Sequence, residues 1–240
     1  MQSAQPKNIR ALIATMRSKG YSIAERPYEL NLVGVRNPNT IPNKFDDKIY
    51  AFWKDDKGNW EGRWYAATTD PGTYWLRTPM HKMGAAILKE GQYKDAYGIG
   101  NHRGYTALTQ KKPVTVIRDY NRDDILDFQN GETMTGLYGI NIHRAGEVGD
   151  TINVDKWSAG CQVFQSADAF REVMGIAQRH VDRYGNAITY TLIDERAYNR
   201  KLRRRGLGIA LGVVLVAATW SAFRAYQNKP IIPKSWKLKK

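Results

Sequence analysis

Two side chains in this sequence could do nucleophilic chemistry together. The 240 residues contain a single cysteine, Cys161, in the run Trp157-Ser158-Ala159-Gly160-Cys161-Gln162-Val163, where small residues leave the sulfur sterically open. Eighteen residues upstream, Gly139-Ile140-Asn141-Ile142-His143 reads as a short strand ending on a histidine. A thiol attacks only as thiolate, so it needs a base within hydrogen-bond reach, and His143 is the candidate. The intervening segment holds Gly146, Gly149 and Asp150, turn-forming residues that can bring the cysteine back beside the strand. Sulfur addition to a carbonyl creates an oxyanion, which the backbone N–H groups of Ala159, Gly160 and Cys161 could receive in a tight turn. Tyr138, Arg144, Ser158 and Gln162 stand next to these residues and are the candidate substrate contacts. The competing reading of the pair is a small buried thiol and a hydrogen-bonded structural histidine.

The elements that must position this pair are mostly strands. Asn8 is placed to cap a helix whose stripe is Ile9, Leu12, Ile13 and Met16, ending near Gly20. A period-two strand runs from Leu30 to Val35, followed by a Pro- and Asn-rich loop at Asn37 to Asn43. Ile49 to Trp53 and Trp60 to Tyr65 form a hairpin about Asp55-Asp56-Lys57-Gly58-Asn59. The Pro71-Gly72 turn leads into a further aromatic strand at Thr73 to Leu76. Gly84 to Tyr105 is Gly-rich, but no apolar strand leads in and no helix follows, which removes a phosphate-binding glycine loop. Short strands at Tyr105 to Leu108 and Val114 to Ile117 come next. Ser166 caps a helix with Phe170, Val173, Ile176, Ala177 and Val181 on one face, stopped by Gly185, and Ile188 to Ile193 is the last strand. His180, at that helix's end, reads as solvated or paired with the helix dipole.

The expected class is therefore β-rich α+β with a few flanking helices. Residues 1–44 form an N-terminal helix and strand belonging to or packed on the main domain at 45–198, with a basic flank and apolar segment at 199–227 and a basic tail at 228–240. A hydrophobic fraction of 42% is ordinary for a globular chain with a real core. The formal charge of +14 favours polyanionic neighbours, among them nucleic acid, anionic lipid and bacterial cell wall. With no recognisable docking helix or RNA-binding strand motif, specific nucleic-acid binding is not expected. One cysteine leaves neither an internal disulfide nor a thiolate zinc site, and no cofactor or metal is called for. No N-terminal signal core is present, whereas residues 206–223 are uncharged and follow five basic residues, which points to a C-terminal transmembrane helix.

The His143 and Ser158-Ala159-Gly160-Cys161 segments, at their spacing, resemble the active-site signature of the L,D-transpeptidase catalytic domain. Thr69-Asp70-Pro71-Gly72-Thr73-Tyr74 is similar to that family's Thr-Pro-x-Gly-x-aromatic stretch, and the resemblance covers Lys48 to Phe164. It implies a β-sandwich or barrel, a cysteine acyl-enzyme and peptidoglycan stem peptides as substrate. Cys161 would be the nucleophile, His143 its base, and the Ser158 to Cys161 backbone the oxyanion site. Ala159 and Val163 stand where the family usually carries His and Arg or Asn. Transpeptidation and hydrolysis both stay open, as does a non-catalytic wall-binding or structural module on the same fold, for instance in a phage particle or lysis apparatus.

Overall fold

The computed structural model of the protein describes residues 2–203. Residues 206–223 and the basic tail lie outside the described residues. Among those described, no helix is long and apolar enough to cross a membrane. The chain divides into two units, Met1–Lys201 and Leu202–Lys240, and everything below concerns the first.

Helix α1, Pro6–Ser18, buries the expected stripe of Ile9, Leu12, Ile13 and Met16. Its start is not at Asn8. Proline lacks the N–H that a first helical residue leaves unpaired, so the helix opens at Pro6 behind Gln5, and the Asn8 N–H already bonds the Gln5 carbonyl at 2.8 Å.

The remaining mass is built on a nine-stranded sheet. In chain order its strands are β1 (Gln2–Ser3), β2 (Asn31–Arg36), β3 (Asp47–Lys54), β4 (Trp60–Thr68), β6 (Gly91–His102), β7 (Tyr105–Gln110), β10 (Ile142–Arg144), β11 (Gln162–Phe164) and β12 (Ile188–Asp194). The spatial order is β1-β4-β11-β10-β7-β6-β12-β2-β3, and β3 also pairs with β4, so the sheet closes on itself. Closure leaves the two-residue β1, paired only with β4, at the end of the order, and β-branched and aromatic residues suit strands packed in this way. Since β2 lies between β12 and β3, the N-terminal residues are integral to this body. A second, antiparallel sheet has the order β5-β8-β9, from Ala85–Leu88, Val114–Asp119 and Thr133–Gly136. Its Ala86, Leu88, Val114 and Val116 join the main core, while Ala85, Ile87 and Ile117 pack with Leu76 and Leu126 on the other face.

Three expectations are corrected. Thr73 to Leu76 is not a strand but helix α2, Thr73–Arg77. The Gly72 carbonyl takes the N–H groups of Trp75 and Leu76, and Leu76 is buried in the second core, so tertiary packing overrides the β propensity of Thr-Tyr-Trp. The Gly-rich stretch holds two strands, β5 and β6, and β6–β7 is a hairpin turning at Arg103-Gly104, both at positive φ. His180 is neither solvated nor dipole-paired: it is buried, with Nδ1 accepting from the Leu30 N–H at 3.1 Å and Nε2 facing the Ala187 carbonyl at 3.1 Å. Helix α3, Ala167–Tyr184, does follow the sequence reading, with the Ser166 side chain accepting from the Ala169 N–H and Gly185 at φ +89.

Candidate functional site

Strand pairing brings Cys161 and His143 to one cavity, where the thiol's own hydrogen bond goes to the Gly139 carbonyl at 3.5 Å. Strands β10 and β11 are parallel, with His143 opposite Val163, so Cys161 stands two residues before the partner of His143. Two-residue alternation turns both side chains to the same face, and both line a cavity of about 320 Å³. The observed strand begins at Ile142 rather than Gly139 and runs one residue past the histidine. Asn141 anchors its entry by accepting the Gln162 N–H on its backbone carbonyl at 2.9 Å.

The turn before Cys161 is fixed from three sides. Gly160 sits at φ +117, and a side chain there would meet the Ala86 carbonyl oxygen at 2.3 Å. Inside the turn the buried Ser158 hydroxyl donates to the Cys161 carbonyl at 2.8 Å and accepts the Gly160 N–H at 3.1 Å. From the α2 side, the Gly72 N–H bonds the Ser158 carbonyl at 2.9 Å and the Trp75 indole N–H bonds the Lys156 carbonyl at 3.0 Å. Gly72 is obligatory for that approach, because a Cβ would lie 2.0 Å from the Asp155 carbonyl oxygen. The Pro71-Gly72 stretch therefore braces the cysteine loop.

The candidate contacts separate accordingly. Tyr138 lines the cavity. Ser158 and Gln162 do not: both are fully buried, and Gln162 donates to the Thr69 and Gly160 carbonyls while accepting from the Tyr190 hydroxyl at 2.8 Å. They are positioning residues, turned inward by hydrogen bonds that a substrate cannot reach. Arg144 stacks over the Tyr105 ring and bonds the Gly146 carbonyl, outside the cavity lining. Of the three candidate oxyanion donors, the Gly160 N–H is taken by Ser158. Those of Ala159 and Cys161 have no acceptor among the described residues.

A backbone carbonyl fixes which ring nitrogen of His143 carries the proton. Its Nδ1 lies 2.8 Å from the Arg144 carbonyl, which can only accept, so Nδ1 carries the proton and Nε2 the lone pair. His102, a residue that the sequence reading passed over, stacks on it with ring centroids 4.4 Å apart. The Asn141 side-chain amide meets His102 Nδ1 at 3.0 Å while accepting the Gln110 N–H on its oxygen, which ties this second ring to the same frame.

Burial dominates the electrostatics. It pushes the Cys161 thiol up to about 11, against smaller downward pulls from an Asn141 backbone hydrogen bond and Arg103. It also pushes His143 down to about 4, with the Arg144 carbonyl opposing and His102 and Arg103 adding to the depression. His102 is lowered as well, by burial and then by Arg103. At neutral pH the resting pair is therefore a neutral thiol and a neutral imidazole.

The cavity also holds Arg103, Arg118 and Lys156, and no Asp or Glu lines it. Among the described residues no group of three or more His, Cys, Asp or Glu could hold a metal ion. His102 and Arg118 come from β6 and β8, distant in sequence from the pair, and only the sheet order brings them to it. No protein-family model matches the chain, and neither curated proteins nor solved structures yield a relative.

Proposed function

We propose that this chain performs cysteine-dependent acyl transfer on bacterial peptidoglycan stem peptides, as a divergent L,D-transpeptidase-like transpeptidase or peptidase. What carries the reading is the sharing of one cavity by a lone thiol and an imidazole whose Nδ1 is committed to a backbone carbonyl. Cys161 Sγ adds to the substrate carbonyl carbon as its proton passes to His143 Nε2. The oxygen's developing charge meets the N–H groups of Ala159 and Cys161. Collapse breaks the C–N bond, the departing amine takes the proton from His143, and a thioester on Cys161 is left. An acceptor amine or water then attacks the thioester, giving its proton to His143, which returns it to the sulfur. Residues 206–223 would tether the domain to a membrane, an expectation that protease accessibility in intact spheroplasts addresses.

One observation favours a second reading. A thiol held near 11 is what a non-catalytic wall-binding module would also carry, with Trp75 and Trp157 on the cavity wall supplying stacking surface. Incubation of purified sacculi with wild type and Cys161→Ala, followed by mass spectrometry of the muropeptides, separates the two. Acyl transfer gives new or shortened muropeptides with wild type only. Identical products from both proteins, or none from either, would overturn the enzymatic reading.

A further inference from the structure

Arg118 has no evident structural occupation. Strand β8 alternates Val114, Val116 and Arg118 onto the face that packs against the main core, and β5 pairs Ala86 opposite Arg118. The arginine is only 4% exposed. Its Nε has no hydrogen-bond partner, its Nη1 reaches the Gly84 carbonyl only at 3.4 Å, and its guanidinium lies 4.8 Å from the centre of the Tyr138 ring. Among the described residues it makes no ion pair, although thirteen others are formed. A buried cation without a counter-charge is costly, and such groups are normally paired or bound to something. Arg118 also lines the cavity that holds Cys161 and His143. With Arg103 and Lys156 on the same wall and no carboxylate, the cavity is built for an anion.

We propose that Arg118 is the anion-recognition residue of this cavity and holds a carboxylate of the ligand beside Cys161 and His143. Guanidinium geometry suits a carboxylate in two-point contact, and Tyr138 fixes the plane of the fork. Val163, which stands where the resemblance would place Arg or Asn, is fully buried and carries no charge. The charge is supplied instead from the second sheet. The inference concerns ligand class and stands apart from whether the thiol is catalytic. It therefore survives or fails separately from the acyl-transfer reading.

Alkylation of the single cysteine provides the test. Cys161 in the full chain is reacted with anionic iodoacetate and with neutral iodoacetamide, and the ratio of the two rates is compared with that of N-acetylcysteinamide. The wild-type ratio is expected to exceed the small-thiol ratio by about tenfold, the order produced by one cation facing one anion in a partly desolvated cleft. Arg118→Met should abolish most of that excess while leaving the iodoacetamide rate near wild type, and Arg118→Lys should restore part of it. Arg103→Met, at the exposed hairpin tip, should lower it only slightly. In the wild type alone, N-acetylglycine should slow iodoacetamide labelling more than N-acetylglycinamide does at equal concentration. A wild-type ratio equal to that of the small thiol overturns the proposal whatever the variants do. So does an Arg103→Met effect as large as that of Arg118→Met, or equal protection by the acid and its amide.

Discussion

Arg36 and Arg118 are both buried, and the chain treats them in opposite ways. Arg36, at the end of β2, faces Asp70 across 2.9 Å and donates to the Thr69 hydroxyl and to the Thr69 and Leu88 carbonyls at 2.8 to 2.9 Å. Asp47 completes this cluster by accepting from the Thr69 N–H and hydroxyl, both at 2.7 Å, and Gln162 joins it from the residue after the cysteine. Arg118 has one long hydrogen bond and an aromatic ring. In the first region every contact of the arginine is internal, with only Asp70 Oδ1 lacking a hydrogen bond, and its work is to hold the cysteine strand. In the second, the guanidinium Nε has no partner and no carboxylate lines the cavity beside it. Burial alone therefore does not separate scaffold from site, whereas the partner list does.

The strongest way to break this comparison is to remove each arginine. Arg36→Met removes the donors to the Thr69 hydroxyl and to the Thr69 and Leu88 carbonyls together with the cation beside Asp47 and Asp70, and should lose about 3 to 5 kcal/mol in urea unfolding. Arg118→Met should change stability by less than about 1 kcal/mol, because an apolar side chain replaces an unpaired buried charge. Similar losses from both would erase the distinction.

Acid titration sharpens it next. His143 is held near 4 by burial, below its ordinary 6.5. Between those values the unfolded chain binds a proton that the folded one excludes, so stability contributed at neutral pH is lost as pH falls from about 6.5 towards 4. The loss is on the order of 3 kcal/mol. Asp47 and Asp70, raised by burial to about 6 and about 8, act in the opposite sense, since their folded forms keep protons that the unfolded chain releases as pH rises. The difference between wild type and His143→Gln isolates the histidine: the variant should lack the acid-side loss when unfolding is compared at pH 4.5 and 7. The same depression should place the acid limb of wild-type activity near pH 4 rather than near 6.5.

The turn gives the smaller effects. Gly160→Ala forces a Cβ into the Ala86 carbonyl at a backbone angle that favours glycine, and should cost about 2 kcal/mol and slow Cys161 labelling severalfold. Ser158→Ala removes one donor and one acceptor inside the turn and should cost about 1 kcal/mol, read by the same unfolding and labelling assays.

Much of the scaffold was legible from periodicity. The α3 stripe with its Ser166 cap, the Ile188 strand and the hairpin about Asp55 to Asn59 all follow from apolar spacing and turn residues. Thr73 to Leu76 was misread because its residue types favour strands, and only Gly72 with the buried Leu76 makes them helical. A two-residue turn at Arg103-Gly104, flanked by Tyr97, Ile99, Tyr105 and Ala107, could have disclosed the β6–β7 hairpin and so the neighbourhood of His102. Cys161 and His143 stood out because they were rare residues at a suggestive spacing. Nothing local marks Ser158 and Gln162 as buried or Arg118 as facing the cavity, since those facts arise from sheet order across distant strands.

The most direct test of the central claim is intact-mass and peptide-mapped mass spectrometry of the protein quenched in acid during reaction with soluble muropeptides. A stem-peptide acyl adduct is expected on Cys161 in wild type, nearly lost in His143→Ala and absent in Cys161→Ala. Muropeptide turnover with no adduct on Cys161, and with Cys161→Ala as active as wild type, would contradict the claim.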